Sequence, residues 1–224
     1  MGLLEINHES ADTITDSFDR IARELFTNYK LLVNENEYRL IDIEFYYYDD
    51  KVFKDVYAHK HPSQRQSGKW YFHGSGVDIT IGNGMNFGGI LLRGIAKIST
   101  KGDIDNYSIE DQIHGSLNVV TEIGSSFYGV FQNMPNSFGI HDIEIDRMGA
   151  LMKEPPHIIK TKRIGLNLDK DNNEGKIFYN GKFRYVIFPH LKLKDKTQIA
   201  RDMQEQYPEL TVDQINKALG SKFL

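Results

Sequence analysis

The chain has 224 residues, 40% of them hydrophobic and 12% aromatic, which suits one large domain with a sizeable core and excludes general disorder. Without cysteine it can form neither a disulfide framework nor a thiolate metal site or nucleophile, which fits a reducing cytoplasm. The net charge of −4 argues weakly against a nucleic-acid binder, but residues 153–196 hold 11 basic against 5 acidic residues, a local balance of +6.

Taken in order, the N-terminal residues lack a signal-peptide core, and no apolar run reaches the roughly 20 residues of a membrane span. ITDSFDRIARELFTNYKLL reads as an amphipathic helix: Thr15 or Asp16 is the expected N-cap, and Phe18, Ile21, Ala22, Leu25 and Phe26 form one apolar stripe. LLV follows as a strand. The next strand, YRLIDIEFYYYDD, alternates with a period of two, so Tyr38, Leu40, Asp42 and Glu44 share a face. A second basic island, HKHPSQRQSGK, contains no acid. WYFHGSGVDITIGNG and FGGILLRGIAKI read as two further strands, and residues 104–120 as a helix. HDIEID reads as a strand with a polar outer face. RIGLNLD and KFRYVIF are expected to pair as strands across the turn-rich KDNNEGKIFYNG. Residues 191–224 pattern as two short helices, the second capped by Thr211, with Pro208 between them. A hairpin packed on a main domain of residues 1–190 is expected; the alternative, a helix-turn-helix contact with DNA, is disfavoured by the acidic DMQEQYPEL.

Two carboxylates on one face of a strand that should be packed need an explanation. Glu44 could be a structural acid paired with Arg93 or a lysine. Yet Tyr46, His59, His61, Trp70, His73 and Arg93 follow within 50 residues, a set suited to gripping a flat ring and activating water. His59, Lys60 and His61 with His73 and Glu44 imitate a metal site but offer no clear third ligand, so no metal or other cofactor is expected. GNGMNFGG lacks the Gly-Lys-Ser/Thr of a phosphate loop, and no serine sits in Gly-x-Ser-x-Gly.

Four stretches in a fixed order resemble the alkyladenine (3-methyladenine) DNA glycosylase family: FDRIARELFTNYKLLV, LIDIEFYYYDD, GGILLRGI and IIKTKRIGLNLDKDNNEGKIFYNGKFRYVI. The likeness spans about residues 18–186. It implies an α+β domain with a curved, antiparallel-rich sheet and flanking helices, similar to the formyltransferase C-terminal domain. By position it implies Glu44 as the general base and Arg93 as the residue that positions the water. Tyr46 and Trp70 would stack on the flipped base. His59 would pack on it, with His61 a competing candidate, and Thr80 stands where the family has an asparagine that rejects unwanted purines. His73 stands where the family wedges a tyrosine into the duplex.

His61, Arg65, Lys69, His73, Lys162 and Arg163 are the expected DNA contacts. The implied activity is that of a monofunctional, monomeric glycosylase on double-stranded DNA, since no lysine stands in a clear nucleophile position. The departures at His73 and Thr80 leave open a hypermodified base of phage DNA as substrate. A non-catalytic nucleic-acid-binding module is the alternative of another class, and a metal-dependent hydrolase using His59, His61 and His73, which sensitivity to EDTA would favour, is a third option.

Overall fold

The computed structural model describes residues 2–99, 108–143, 157–167 and 173–224. Helix α1 (Ala11–Asn28) starts where Ser10 takes an extended backbone and closes a reciprocal capping box with Thr13. That is more than a turn before the expected Thr15 or Asp16, because a threonine hydroxyl at the third position does the work usually done by glutamate or glutamine. The expected stripe is buried, extended by Ile14.

The chain then enters β1 (Tyr29–Val33) and, through Asn34 at φ 53°, the long strand β2 (Asn36–Asp49). β3 (Phe53–Lys54), a 3-10 turn (Pro62–Arg65), β4 (Ser67–His73), β5 (Gly76–Ile81) and β6 (Phe87–Ser99) follow. The segment expected as one strand, WYFHGSGVDITIGNG, holds a hairpin of two that reverses at Gly74–Ser75. Beyond β6 come β7 (Ser108–His114), α2 (Ser116–Ser125), β8 (Phe138–Asp142), β9 (Ile159–Thr161), α3 (Asn173–Asn180) and β10 (Arg184–Val186). The chain closes with α4 (Lys196–Gln206) and α5 (Val212–Leu219).

The strand order is β4-β5-β6-β2-β1-β8, with β10 hydrogen-bonded to β2 and β9, β7 to β6, and β3 to β2; every pairing is antiparallel. This is an α+β domain whose antiparallel sheet curls into a half-barrel flanked by helices. Two long strands make the curl possible. β6 is paired along one edge with β2, while its other edge serves β5 first and β7 later. β2 does the same with β1 and then β10.

Further expectations change beyond β6. The proposed helix over residues 104–120 is β7 and then α2, divided by Gly115 at φ 91°; residues 104–107 lie outside the described residues. KDNNEGKIFYNG supplies α3, and the strand that pairs with β10 is β9, ahead of RIGLNLD. Residues 163–167 of RIGLNLD continue no ladder because their backbone serves side chains: Glu44 accepts from the Ile164 N–H, and the Ile164 and Asn167 carbonyls accept from Arg93 and Tyr57; residues 168–172 lie outside the described residues. HDIEID begins in β8, and its residues 144–146 lie outside the described residues.

On one face of β2, Ile41, Ile43, Phe45 and Tyr47 are fully buried, and Phe45 stacks on Phe18 of α1 with ring centroids 4.6 Å apart. Burial of each such side chain is worth about 1.5–3 kcal/mol. On the other face lie Asp42, Glu44 and Tyr46. Gly94 of β6 permits the close approach there, since a Cβ on it would stand 3.0 Å from that of Asp42. Thr211 caps α5 as expected, and Ile199, Ala200, Met203, Ile215 and Leu219 of α4 and α5 join the buried cluster that holds α1. Gln206 at the end of α4 satisfies both backbone groups of Lys160 in β9. Among the described residues no helix is long and apolar enough to cross a membrane.

Candidate active site

The two acids of β2 divide between two tasks. Asp42 is gripped by both prongs of the Arg184 guanidinium, Nε to Oδ1 at 2.8 Å and Nη2 to Oδ2 at 2.7 Å, a buried structural pair. Glu44, two residues on, is fully buried. Its Oε1 accepts from the Ile164 N–H at 2.8 Å and meets Arg93 Nε at 3.4 Å, and its Oε2 accepts from the Tyr46 hydroxyl at 2.7 Å. Burial pushes the Glu44 carboxyl above its ordinary value; Arg93 and the two hydrogen bonds pull the other way without cancelling it. Burial, and then the Glu44 charge, hold the Tyr46 phenol protonated far above its usual range, so it stays a donor.

Above this group opens a cavity of about 460 Å³. Tyr46 and Arg93 line it from the strands, His59 from the loop before the 3-10 turn, and His73 and Asp78 from the β4–β5 hairpin. Glu44 itself lies behind Tyr46 and Arg93 and does not reach the cavity wall. Arg163 stands 4.4 Å from the Tyr46 ring centroid and holds it in place. The volume falls within the roughly 300–1,000 Å³ of small-molecule sites.

The structure therefore brings together Glu44, Tyr46, Arg93, His59 and His73. Of the two competing histidines, His59 lines the cavity, whereas His61 caps the 3-10 turn and stacks on Tyr71 at 4.7 Å. Trp70 is not brought to Tyr46. It packs on Phe138 of β8, centroids 4.3 Å apart, because β4 directs Trp70 and Phe72 to one side and Tyr71 and His73 to the other. Thr80 is buried away from the cavity, where its hydroxyl accepts from the Lys69 N–H and donates to the Lys69 carbonyl, bridging a break in the β4–β5 register.

The expected DNA contacts also separate. Arg65 and Lys69 are exposed, Arg65 lying over Phe87. Lys162 donates to Asn180 at the surface. Arg163 is no surface contact: it is buried, forked onto Asp55 and bonded to the Phe45 and Phe178 carbonyls. Nor does His73 project as a wedge. Its ring is 7% exposed and turned to Asp78, with Nε2 3.1 Å from Oδ1.

Several residues escaped sequence reasoning. Asp78 is hidden in the apolar run VDITI, and Gln64, which donates to Asp78 Oδ2 at 2.8 Å, is hidden among loop residues. The odd polar residue within an all-buried strand was the available signal for Asp78. Tyr71, stacked on both His61 and His73, was signalled only by strand parity.

No family model matches the sequence. The chain is similar to an uncharacterized protein, L759, of Acanthamoeba polyphaga mimivirus: 29% identical over 227 residues, covering 88% of this chain and 98% of that protein.

Proposed function

We propose that the protein is a monofunctional DNA glycosylase, working as a monomer in the cytoplasm. It flips a damaged or modified base out of double-stranded DNA and hydrolyses the N-glycosidic bond with an activated water. The observation that carries this reading is the buried Glu44, held by Arg93 and Tyr46 beneath a cavity of base-accommodating size. Extrusion costs a few kcal/mol, least for a damaged or poorly paired base. Tyr46 offers one stacking face, and His59 takes the opposing role that the family resemblance implied for Trp70. Arg93 orients the water; Glu44 lies behind Tyr46 and Arg93, so a shift of one of these side chains on DNA binding opens it to the cavity, and it then takes the water's proton. The bond from water oxygen to the anomeric carbon forms as the carbon–nitrogen bond breaks, and the base leaves with the electron pair. A carboxyl raised towards neutrality suits this exchange better than an ordinary one.

The test is a panel of duplexes carrying alkylated, deaminated and hypermodified bases, each treated with alkali to cleave abasic sites. Strand cleavage on at least one, lost in Glu44→Gln, supports the reading. Tight duplex binding with no abasic sites anywhere on the panel would replace it with the non-catalytic nucleic-acid-binding module.

A further inference from the structure

The third metal ligand missing from the sequence is present in the fold. We propose that His59, His73 and Asp78 form a binding site for a first-row divalent transition metal on the wall of the cavity that also holds Arg93 and Tyr46. Each residue offers one ligand atom, and these atoms lie within 4.8 Å of one another. Small side-chain rotations bring them to the roughly 3–4 Å separation that metal bonds of about 2.1 Å require. Two imidazoles and one carboxylate favour a metal such as zinc, cobalt, manganese or iron over magnesium or calcium, and leave coordination positions unfilled by protein.

The surroundings have the form of a built site. Asp78 is 3% exposed, and Gln64 holds its Oδ2, fixing the carboxylate as an outer-shell partner does. The neighbouring strand is cut away to admit it: a Cβ on Gly89 would stand 2.5 Å from Asp78 Oδ2 and 2.9 Å from Gln64 Nε2. The His59 and His73 rings meet nearly perpendicular, centroids 4.4 Å apart.

The tautomer defines what binding must change. The Ser75 N–H donates to His73 Nδ1 at 3.2 Å, so in the neutral ring Nε2 carries the proton, directed at Asp78 Oδ1. A metal between Nε2 and Oδ1 takes that proton's place. The proton moves to Nδ1 and the Ser75 contact is released. That contact is exposed and lies in a turn between Gly74 and Gly76, so its loss is a small cost against a coordinate bond.

The experiment is titration of the chelator-stripped full chain with Co²⁺, followed by its visible absorption, and with Zn²⁺ by calorimetry. One equivalent should bind. His59→Ala and Asp78→Asn should each abolish binding, Gln64→Ala should weaken it roughly 10–100-fold, and His61→Ala should leave it unchanged. Asp78 is buried and its substitution risks the fold; His59 is exposed, so His59→Ala with an unchanged circular dichroism spectrum decides alone. No binding to the folded protein up to about 100 μM metal, or binding that survives His59→Ala, overturns the proposal. The readout requires neither DNA nor base release, so its failure leaves the glycosylase reading standing, and the reverse also holds.

Discussion

Glu44 answers to pH in two opposed ways. In the proposed reaction base release needs it ionised, so the rate should rise with pH, with the midpoint of the acid limb above the ordinary 4.5 of a glutamate. Stability runs the other way. Between that ordinary value and the raised one the folded state holds the extra proton, so stability falls as pH rises through the window. Glu44→Gln should therefore abolish base release, keep duplex affinity within a few-fold, and flatten this pH dependence in melts at pH 5 and pH 8. An unaltered rate would remove Glu44 from the mechanism. Tyr46→Phe deletes a hydrogen bond that holds the Glu44 carboxyl down, so the acid limb should move to still higher pH. Glu44 and Tyr46 were legible in the sequence because strand parity alone puts residues two apart on one side. Parity also decided against Trp70. The resemblance put Trp70 on the cavity side of β4, and a match one residue out of phase exchanges the faces, so that Tyr71 and not Trp70 shares a side with the cavity-lining His73. His59→Ala should accordingly cost about ten- to a hundred-fold in rate, the worth of one stacking face, while Trp70→Ala should act on stability instead.

The least legible stretch is RIGLNLD, where periodicity suggests a strand and the described residues 163–167 are irregular. Sequence patterning cannot see that Arg163 inserts beneath Tyr46 or that the Ile164 N–H is claimed by a carboxylate 120 positions earlier. Removing one partner of the buried Arg163–Asp55 pair, as in Asp55→Asn or Arg163→Gln, should cost about 3–5 kcal/mol in chemical denaturation, as expected for an uncompensated interior charge. The basic segment is affected likewise. Lys160 pairs with Asp19, Lys182 with Asp202 and Glu205, and Arg184 with Asp42. With Arg163 on Asp55, four of the segment's eleven basic residues are thus neutralised by acids elsewhere in the fold, leaving Arg65, Lys69 and the surface Lys162 to meet phosphate. With about three such contacts, duplex affinity should fall with salt at a log–log slope near −3. A slope near zero would count against DNA as the partner.

Across the whole chain, the fold class was readable because long amphipathic elements declare themselves, whereas short strands such as β9 and β10 carry too little pattern. The C-terminal helices were correctly placed as a pair, but their share in the core could not be read from them alone. Removal of residues 196–224 would strip Ile199, Met203, Ile215 and Leu219 from the cluster that seats α1, and should abolish cooperative unfolding rather than merely lower the melting temperature. One further consequence follows from the crowding of charge around β2. Asp42, Asp55 and Glu44 stand against Arg93, Arg163 and Arg184, so this interior layer is electrically neutral only while Glu44 is ionised. Protonated, it carries one uncompensated positive charge. A glycosidic bond that breaks with cationic character on the sugar would be opposed by that charge and met without opposition by the neutral layer. The same proton that disarms the base would thus make the floor of the cavity more attractive to anions, and Glu44→Gln would fix it permanently in that anion-favouring condition.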